Sequence, residues 1–180
     1  YAASSVNEIV DAAGVTKPIL YYYFKNKEGI YLEILHDGFG RYAELVAEAR
    51  EWKGASIDRI RRLVGDLYQI FEERLDTARL FHSIYYGPPQ GAPFYDFDAH
   101  HLAFLEVLQD IVKEGIQNGE LAPGDPERIT LGLAGVGNMA MDLELWGKGP
   151  RLRRAGLDQV LTLFLTGISP RDKQPEVNPS

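Results

Sequence analysis

Residues 14–30 read GVTKPILYYYFKNKEGI, with three tyrosines and three lysines inside the eleven residues 17–27. Gly14 suits the left-handed C-cap of a preceding helix, and Val15 and Thr16 complete a short turn. Pro18 fits the first turn of a second short helix, N-capped by either Thr16 or Lys17, because a first-turn residue has no intrahelical N–H bond to lose. Leu20 and Phe24, four apart, give that helix one buried edge. Upstream, Ser5 followed three residues later by Glu8 is a capping-box signature, and Val6, Ile9, Val10 and Ala13 share one helical face, so a helix is expected over about 6–13. Two short helices joined by a tight turn, the second basic and aromatic, are the requirements of a helix-turn-helix.

The remainder continues with helical periodicity. Ile30, Ile34, Phe39, Tyr42, Leu45 and Ala49 mark a long amphipathic helix ending by Gly54, with Gly38 and Gly40 as points where it could break. Ser56 is expected to cap a helix bearing Ile57, Ile60, Val64, Leu67, Phe71 and Leu75, and a shorter helix covers about 78–86. The proline- and glycine-rich residues 87–93 read as a loop. Leu102, Leu105, Leu108, Val112 and Ile116 mark the next helix, then Ile129, Leu133, Val136, Ala140 and Leu143 after Pro126. A final helix carries Leu157, Leu161, Phe164 and Ile168, followed by a polar tail expected to fray. No strand-period segment competes, so the fold class is all-α with about eight visible helices. The chain opens on Tyr1, and YAASS reads as the end of a loop, so a further N-terminal piece is expected before it.

The 180 residues, 45% of them hydrophobic, suffice for a sizeable core. The absence of cysteine excludes disulfides and thiolate metal sites. No apolar run approaches the roughly 18 residues of a membrane span and no signal-peptide pattern opens the chain, which reads as cytoplasmic with no membrane partner. Net charge is −7, but residues 1–31 balance Lys17, Lys25 and Lys27 against Glu8, Asp11 and Glu28, so the whole excess lies beyond residue 31. An acidic body with a locally basic tip orients on DNA instead of adhering to it indiscriminately.

These residues resemble the TetR-type transcriptional regulators. The likeness runs over residues 4–35, SSVNEIVDAAGVTKPILYYYFKNKEGIYLEIL, where the family pattern is a capped helix, A-A-G-V-[ST]-K and then L-Y-x-[YH]-F-K-[SN]-K-E. It implies a helix-turn-helix DNA-binding domain over 1–46, with the start of a long connecting helix, and a helical effector-binding and dimerisation domain over 47–180. The DNA-binding residues it implies are Ser5, Thr16, Lys17, Pro18, Ile19, Tyr21, Tyr22, Tyr23, Lys25 and Lys27, facing a near-palindromic operator in double-stranded DNA. The family often has a small residue at Pro18 and a polar one at Ile19; here Pro18 lacks a donor and Ile19 can read only apolar features such as a thymine methyl.

The aromatic and histidine-rich middle has two readings. As a pocket for a small-molecule effector it would use Leu67, Phe71, Phe81, His82, Tyr85, Tyr86, His101, Phe104 and Leu108. With no arginine among residues 80–127, the expected effector is mainly apolar, aromatic or lipid-like, oriented by a group such as His101 or Tyr85. Alternatively His82, His100, His101, Asp96 and Asp98 serve a metal-dependent all-α enzyme. Adjacent His100 and His101 diverge by about 100° on a helix, and neither an HExxH pair, a nucleophile elbow nor a phosphate loop is present, so an enzyme, a metal and a cofactor are not expected. The small residues of GLAGVGNMAM, 132–141, fit either a tight contact within the chain or one between copies. The resemblance favours a homodimer interface of Gly132, Gly135, Val136, Ala140, Leu157, Leu161 and Phe164. The function so implied is that of a dimeric repressor released from its operator by an apolar ligand.

Overall fold

A computed structural model describes residues 1–89, 91–147 and 151–167. Among them are eight helices and no strand: α1 Val6–Ala13, α2 Lys17–Tyr23, α3 Lys27–Glu51, α4 Ser56–Glu73, α5 Leu75–Tyr85, α6 Phe97–Gln117, α7 Pro126–Trp146 and α8 Arg153–Thr166. The all-α reading therefore holds. Ile168 and the polar tail lie outside the described residues, as do Gln90 in the expected loop and Lys148–Pro150 beyond the end of α7.

Local chemistry sets the helix ends. Ser5 and Glu8 close a reciprocal capping box, Gly14 takes the left-handed conformation at φ 64°, and Asn26 caps α3 by accepting from the Gly29 N–H at 2.8 Å. Thr16 is the N-cap of α2, which settles the choice left open between it and Lys17. The long helix α3 runs unbroken through both glycines. Gly38 is explained by proximity, since a Cβ there would stand 2.5 Å from Thr77 Cγ2 of α5; Gly40 faces open space and nothing in the structure explains it.

Three expectations are corrected. Ser56 is the first residue of α4 and not its cap: Ala55 holds that position, and the Ser56 N–H donates to the Glu120 carboxylate. Ser56 is buried because α6 crosses close by, a Cβ on Gly115 falling 2.9 Å from Ser56 Cβ. Ile34 and Leu102 are exposed although they sit on the periodic stripes of α3 and α6. The short fifth helix begins at Leu75, three residues earlier than expected, because only Arg74 separates it from α4.

Two apolar cores result. Val10, Leu20 and Ile30, with Val6, Ile9 and Phe24 against them, fasten α1, α2 and the start of α3. The larger core is centred on α4, whose Ile60, Leu63, Val64, Leu67 and Tyr68 pack against α3, α6, α7 and α8. Each wholly buried leucine of this kind contributes about 1.5–3 kcal/mol. Arg59 of α4 is also buried and pairs with Glu114 of α6 at 2.6 Å. Because α3 supplies Ile30 to one core and Leu45, Val46 and Ala49 to the other, it is the rigid member common to both. Among the described residues no helix is long and apolar enough to cross a membrane.

Candidate nucleic-acid interface and effector cavity

On α2 the buried residue is Leu20. At 100° per residue, Pro18 and Tyr22 point almost directly away from it, while Ile19 and Tyr21 flank them. Exposure follows this wheel within the helix, Tyr22 being 83% exposed and Ile19 and Tyr21 each 48%, while Tyr23, its last residue, departs from it at 73%. Tyr23 packs edge-on against Tyr22 with centroids 5.1 Å apart, making a two-ring projection at the helix end. Lys17, Lys25, Thr16 and Ser5 are exposed at the same end of the molecule. The Ser5 Oγ accepts from the Glu8 N–H at 3.2 Å and the Glu8 carboxylate accepts from the Ser5 N–H at 2.7 Å, which leaves the serine hydroxyl proton for another acceptor. Those hydrogen bonds, the backbone one first, hold the Glu8 carboxyl below its ordinary value.

Lys27 stands apart from the other expected contacts. It is half-buried, its Nζ donates to the Tyr1 carbonyl at 2.5 Å, and it lies 4.1 Å above the Tyr1 ring. Its charge is thus engaged within the chain.

Behind this end lies a cavity of about 430 Å³ bounded by α3, α4, α5, α6 and α7. The expected Leu67, Phe71, Phe81, His82, Tyr85, Tyr86 and His101 all line it. An inner chamber of about 140 Å³ shares Phe39, Leu67, His101 and Met141 with it and is closed by Phe104. Leu108 lines neither space: one turn beyond Phe104 on α6, it is wholly buried in the main core, so its expected pocket role is corrected to packing.

Several wall residues were not foreseen as ligand contacts. Phe39 and Tyr42 read as ordinary members of the α3 stripe, and Arg74, Asn138, Met141 and Asp142 come from segments outside the histidine-rich middle. The one available signal was Asn138, a polar residue within a small-residue helix. Phe39 is the hub of the aromatic wall, meeting Phe81, Tyr95 and Phe97 at 5.6–5.7 Å.

Some of the polar groups in and around the cavity already have partners. The Tyr85 hydroxyl donates to Asp98 at 2.5 Å, Tyr95 OH and His100 Nε2 are 3.1 Å apart, and Arg74 pairs with Asp37 of α3. Burial pushes the His100 imidazole below its ordinary value, so it is neutral near pH 7. Burial likewise raises the Tyr42 hydroxyl. Asp96 is spent on the N-cap of α6, accepting from the Ala99 N–H at 3.0 Å. Among the described residues, no group of three or more His, Asp or Glu is placed to hold a metal ion, so the His/Asp set of the enzyme reading is not assembled.

The expected dimer residues divide. Ala140, Leu157 and Leu161 are buried in the chain's own core, which corrects their assignment to a surface between copies. Gly132 is also internal, since a Cβ there would lie 2.5 Å from Phe164 Cζ. Val136 is half-buried against the main core. Gly135 and part of Phe164 remain on the surface, where Leu131, Met139 and Leu163 are also exposed. Leu131, Gly135 and Met139 recur every four residues and form an outward stripe on α7.

Comparison with known proteins agrees with the helix-turn-helix and with the all-helical fold. Residues 1–34 match the family model for bacterial regulatory proteins of the tetR family. The fatty acid metabolism regulator protein of Bacillus subtilis is 23% identical over 144 residues, covering 72% of this chain and 66% of its own length. The transcriptional activator FasR of Mycolicibacterium smegmatis is 32% identical over 93 residues, covering 51% of this chain and 42% of its own length. The chain therefore spans about two fifths to two thirds of these relatives. Among solved structures, the TetR family regulator PfmR from Thermus thermophilus superposes with a TM-score of 0.75 at 22% identity, covering 93% of this chain and 91% of that one. The regulator FadR from Bacillus subtilis in complex with stearoyl-CoA gives 0.65 at 21% identity, covering 92% and 89%. Residues 1–34 thus carry the helix-turn-helix of the tetR family of bacterial regulatory proteins, and the all-helical fold behind them is shared with the solved TetR family regulator PfmR.

Proposed function

We propose that this chain is one protomer of a two-fold repressor that binds a near-palindromic operator through α2 and releases it when a long-chain acyl ligand enters the cavity. The observation that carries the reading is the sharing of α3. Its first turn abuts the end of α2, while Phe39 and Tyr42, three to four turns further on, form part of the cavity wall. A ligand that favours a different seating of α3 must alter the spacing of two recognition helices, and by linkage the DNA-competent population falls.

The acyl class is supported by the cavity. Its volume lies in the range of small-molecule sites but is too small for a nucleotide-bearing carrier, so an acyl chain would lie inside with its head at the rim. Arg74, shared with Asp37, and His82 stand in that wall, which widens the expectation of a purely apolar effector to one with an anionic head. The B. subtilis relative's role in fatty acid metabolism and the stearoyl-CoA bound to the FadR structure support the same class. In this reading residues 1–46 form the DNA-binding unit, 47–180 the effector and dimerisation unit, and the protein works in the cytoplasm as a regulator and not as an enzyme.

The test is fluorescence anisotropy on DNA from upstream of the protein's own coding region, titrated with stearoyl-CoA. Binding that weakens by about 1–3 kcal/mol on saturation is expected. Absence of any binding to that DNA or to other candidate operators removes the repressor reading, and binding indifferent to acyl-CoA removes the effector reading.

A further inference from the structure

The cavity is polar at one end and apolar at the other. The outer space has Arg74, His82, Asp98 and Asp142 in its wall, whereas the residues found only in the inner chamber are Val64, His100, Phe104, Ala134 and Gly137. His100 is the single polar member of that inner set, and its Nε2 is already taken by the Tyr95 hydroxyl. One face of α7 runs the length of both spaces, from Ala134 through Gly137 and Met141 to Leu145. The eleven helical rises between them, at about 1.5 Å each, make this path roughly 16 Å long. A ligand with a polar head and an apolar tail therefore has one favourable orientation, tail inward.

The inner end is closed by small side chains on α7 meeting larger ones on α4 and α6. A Cβ added to Gly137 would lie 3.2 Å from Val64 Cγ1, so at that point the wall is already in contact with α4 and has no slack. Ala134 is buried beside it, and Phe104 of α6 shuts the remaining side. At about 140 Å³ the chamber is similar to cavities of about 150 Å³ that hold benzene, which is room for roughly six carbon atoms.

We propose that this inner chamber gauges ligand chain length, with Ala134 and Gly137 of α7 and Phe104 of α6 setting where an acyl tail must end. The inference rests on the acyl reading above and adds the residues that discriminate within that class. A tail that stops short leaves apolar wall uncovered, and one that is too long forces overpacking against Val64. Each methylene buried is worth about fourfold in affinity, so displacing two carbons of tail reads as a change of roughly fifteenfold.

The experiment is calorimetric titration of the full chain and two variants with saturated straight-chain acyl-CoA thioesters of about eight to eighteen carbons, a range that brackets the roughly 16 Å path. Ala134→Val should move the preferred length about two carbons shorter and weaken the parent's best ligand roughly fifteenfold. Phe104→Leu should move the preference longer. Circular dichroism and DNA binding report whether each variant is folded, and if Ala134→Val is not, the direction of the Phe104→Leu shift decides alone. A parent that shows a length preference which the folded variants leave unchanged overturns the gauge while sparing the acyl reading. A parent that binds none of the thioesters overturns the acyl reading, and the gauge with it.

Discussion

Phe39 of α3 and His100 of α6 stack with ring centroids 4.9 Å apart and 27° between their planes. Phe39 lies twelve residues along the helix whose first turn adjoins α2, about 18 Å away. His100 is in turn fixed by the Tyr95 hydroxyl. The stack therefore joins the helix that sets the position of the recognition element to the wall of the effector cavity.

Phe39→Ala should separate ligand binding from DNA release. Loss of a half-buried aromatic that touches several other rings is expected to cost about 2 kcal/mol of stability, below the range for a fully buried phenylalanine. DNA affinity without ligand should stay near the parent's, while the fall produced by saturating acyl-CoA shrinks toward zero. Anisotropy titrations with and without ligand measure both. A variant that retains full ligand-induced release would show that the signal travels by another route.

Lys17→Ala should weaken binding to all DNA sequences about equally and lower the salt slope by about one unit per subunit, because Lys17 is exposed at the start of α2 and would neutralise a phosphate. Lys27→Ala should lower it by less, since that ammonium already rests on the Tyr1 carbonyl. Binding measured across a salt series ranks the two directly. Equal slopes for Lys27→Ala and Lys17→Ala would mean that the Tyr1 contact is given up on DNA.

The helix-turn-helix was legible because its determinants are local. Ser5 with Glu8, Gly14 and the Leu20–Phe24 edge each act within a few residues, and each is found as read. The cavity was half legible: the aromatics of α5 and α6 stand out by type, but Phe39 and Tyr42 look like any amphipathic stripe until α5 is known to lie against Gly38. Leu157 and Leu161 were misplaced for a related reason. An apolar stripe shows that a helix face is covered, yet it is the same stripe whether the cover is α4 of the same chain or a second copy. Ser56 shows the converse, a residue of capping type used where α6 needs a small neighbour.

Glu72→Gln should stabilise the protein at neutral pH. Burial first, and the charge of Glu144 second, hold the Glu72 carboxyl above its ordinary 4.5, while Glu144 accepts from the Tyr68 hydroxyl at 3.1 Å. A carboxyl raised in the folded state favours folding only in its protonated form. The penalty is absent below the unfolded value and grows as pH rises through 4.5 to the raised one. The gain from Gln is therefore expected at about pH 7, at about 0.5 kcal/mol after solvent screening, and not below about pH 4. Urea denaturation at the two pH values checks the sign. A gain of equal size at both would assign it to packing and not to charge.

Gly135→Leu separates what α7 does within the chain from what it does between copies. A Cβ at Gly135 meets nothing within 4 Å, so a larger side chain fits the isolated protomer without displacing a neighbour. Replacing an exposed helical glycine should even favour the helix by up to about 1 kcal/mol. The same leucine would stand between Leu131 and Met139 on the outward stripe, where a second α7 packed closely across a two-fold would have to move aside. The expected outcome is thus of opposite sign in two measurements: unchanged or higher unfolding free energy, and dimerisation weaker by about 1–3 kcal/mol through overpacking. Sedimentation equilibrium on parent and variant reads the second quantity. A variant that associates as tightly as the parent would exclude a close α7 approach at Gly135 and move the proposed interface to the exposed side of α8 around Leu163.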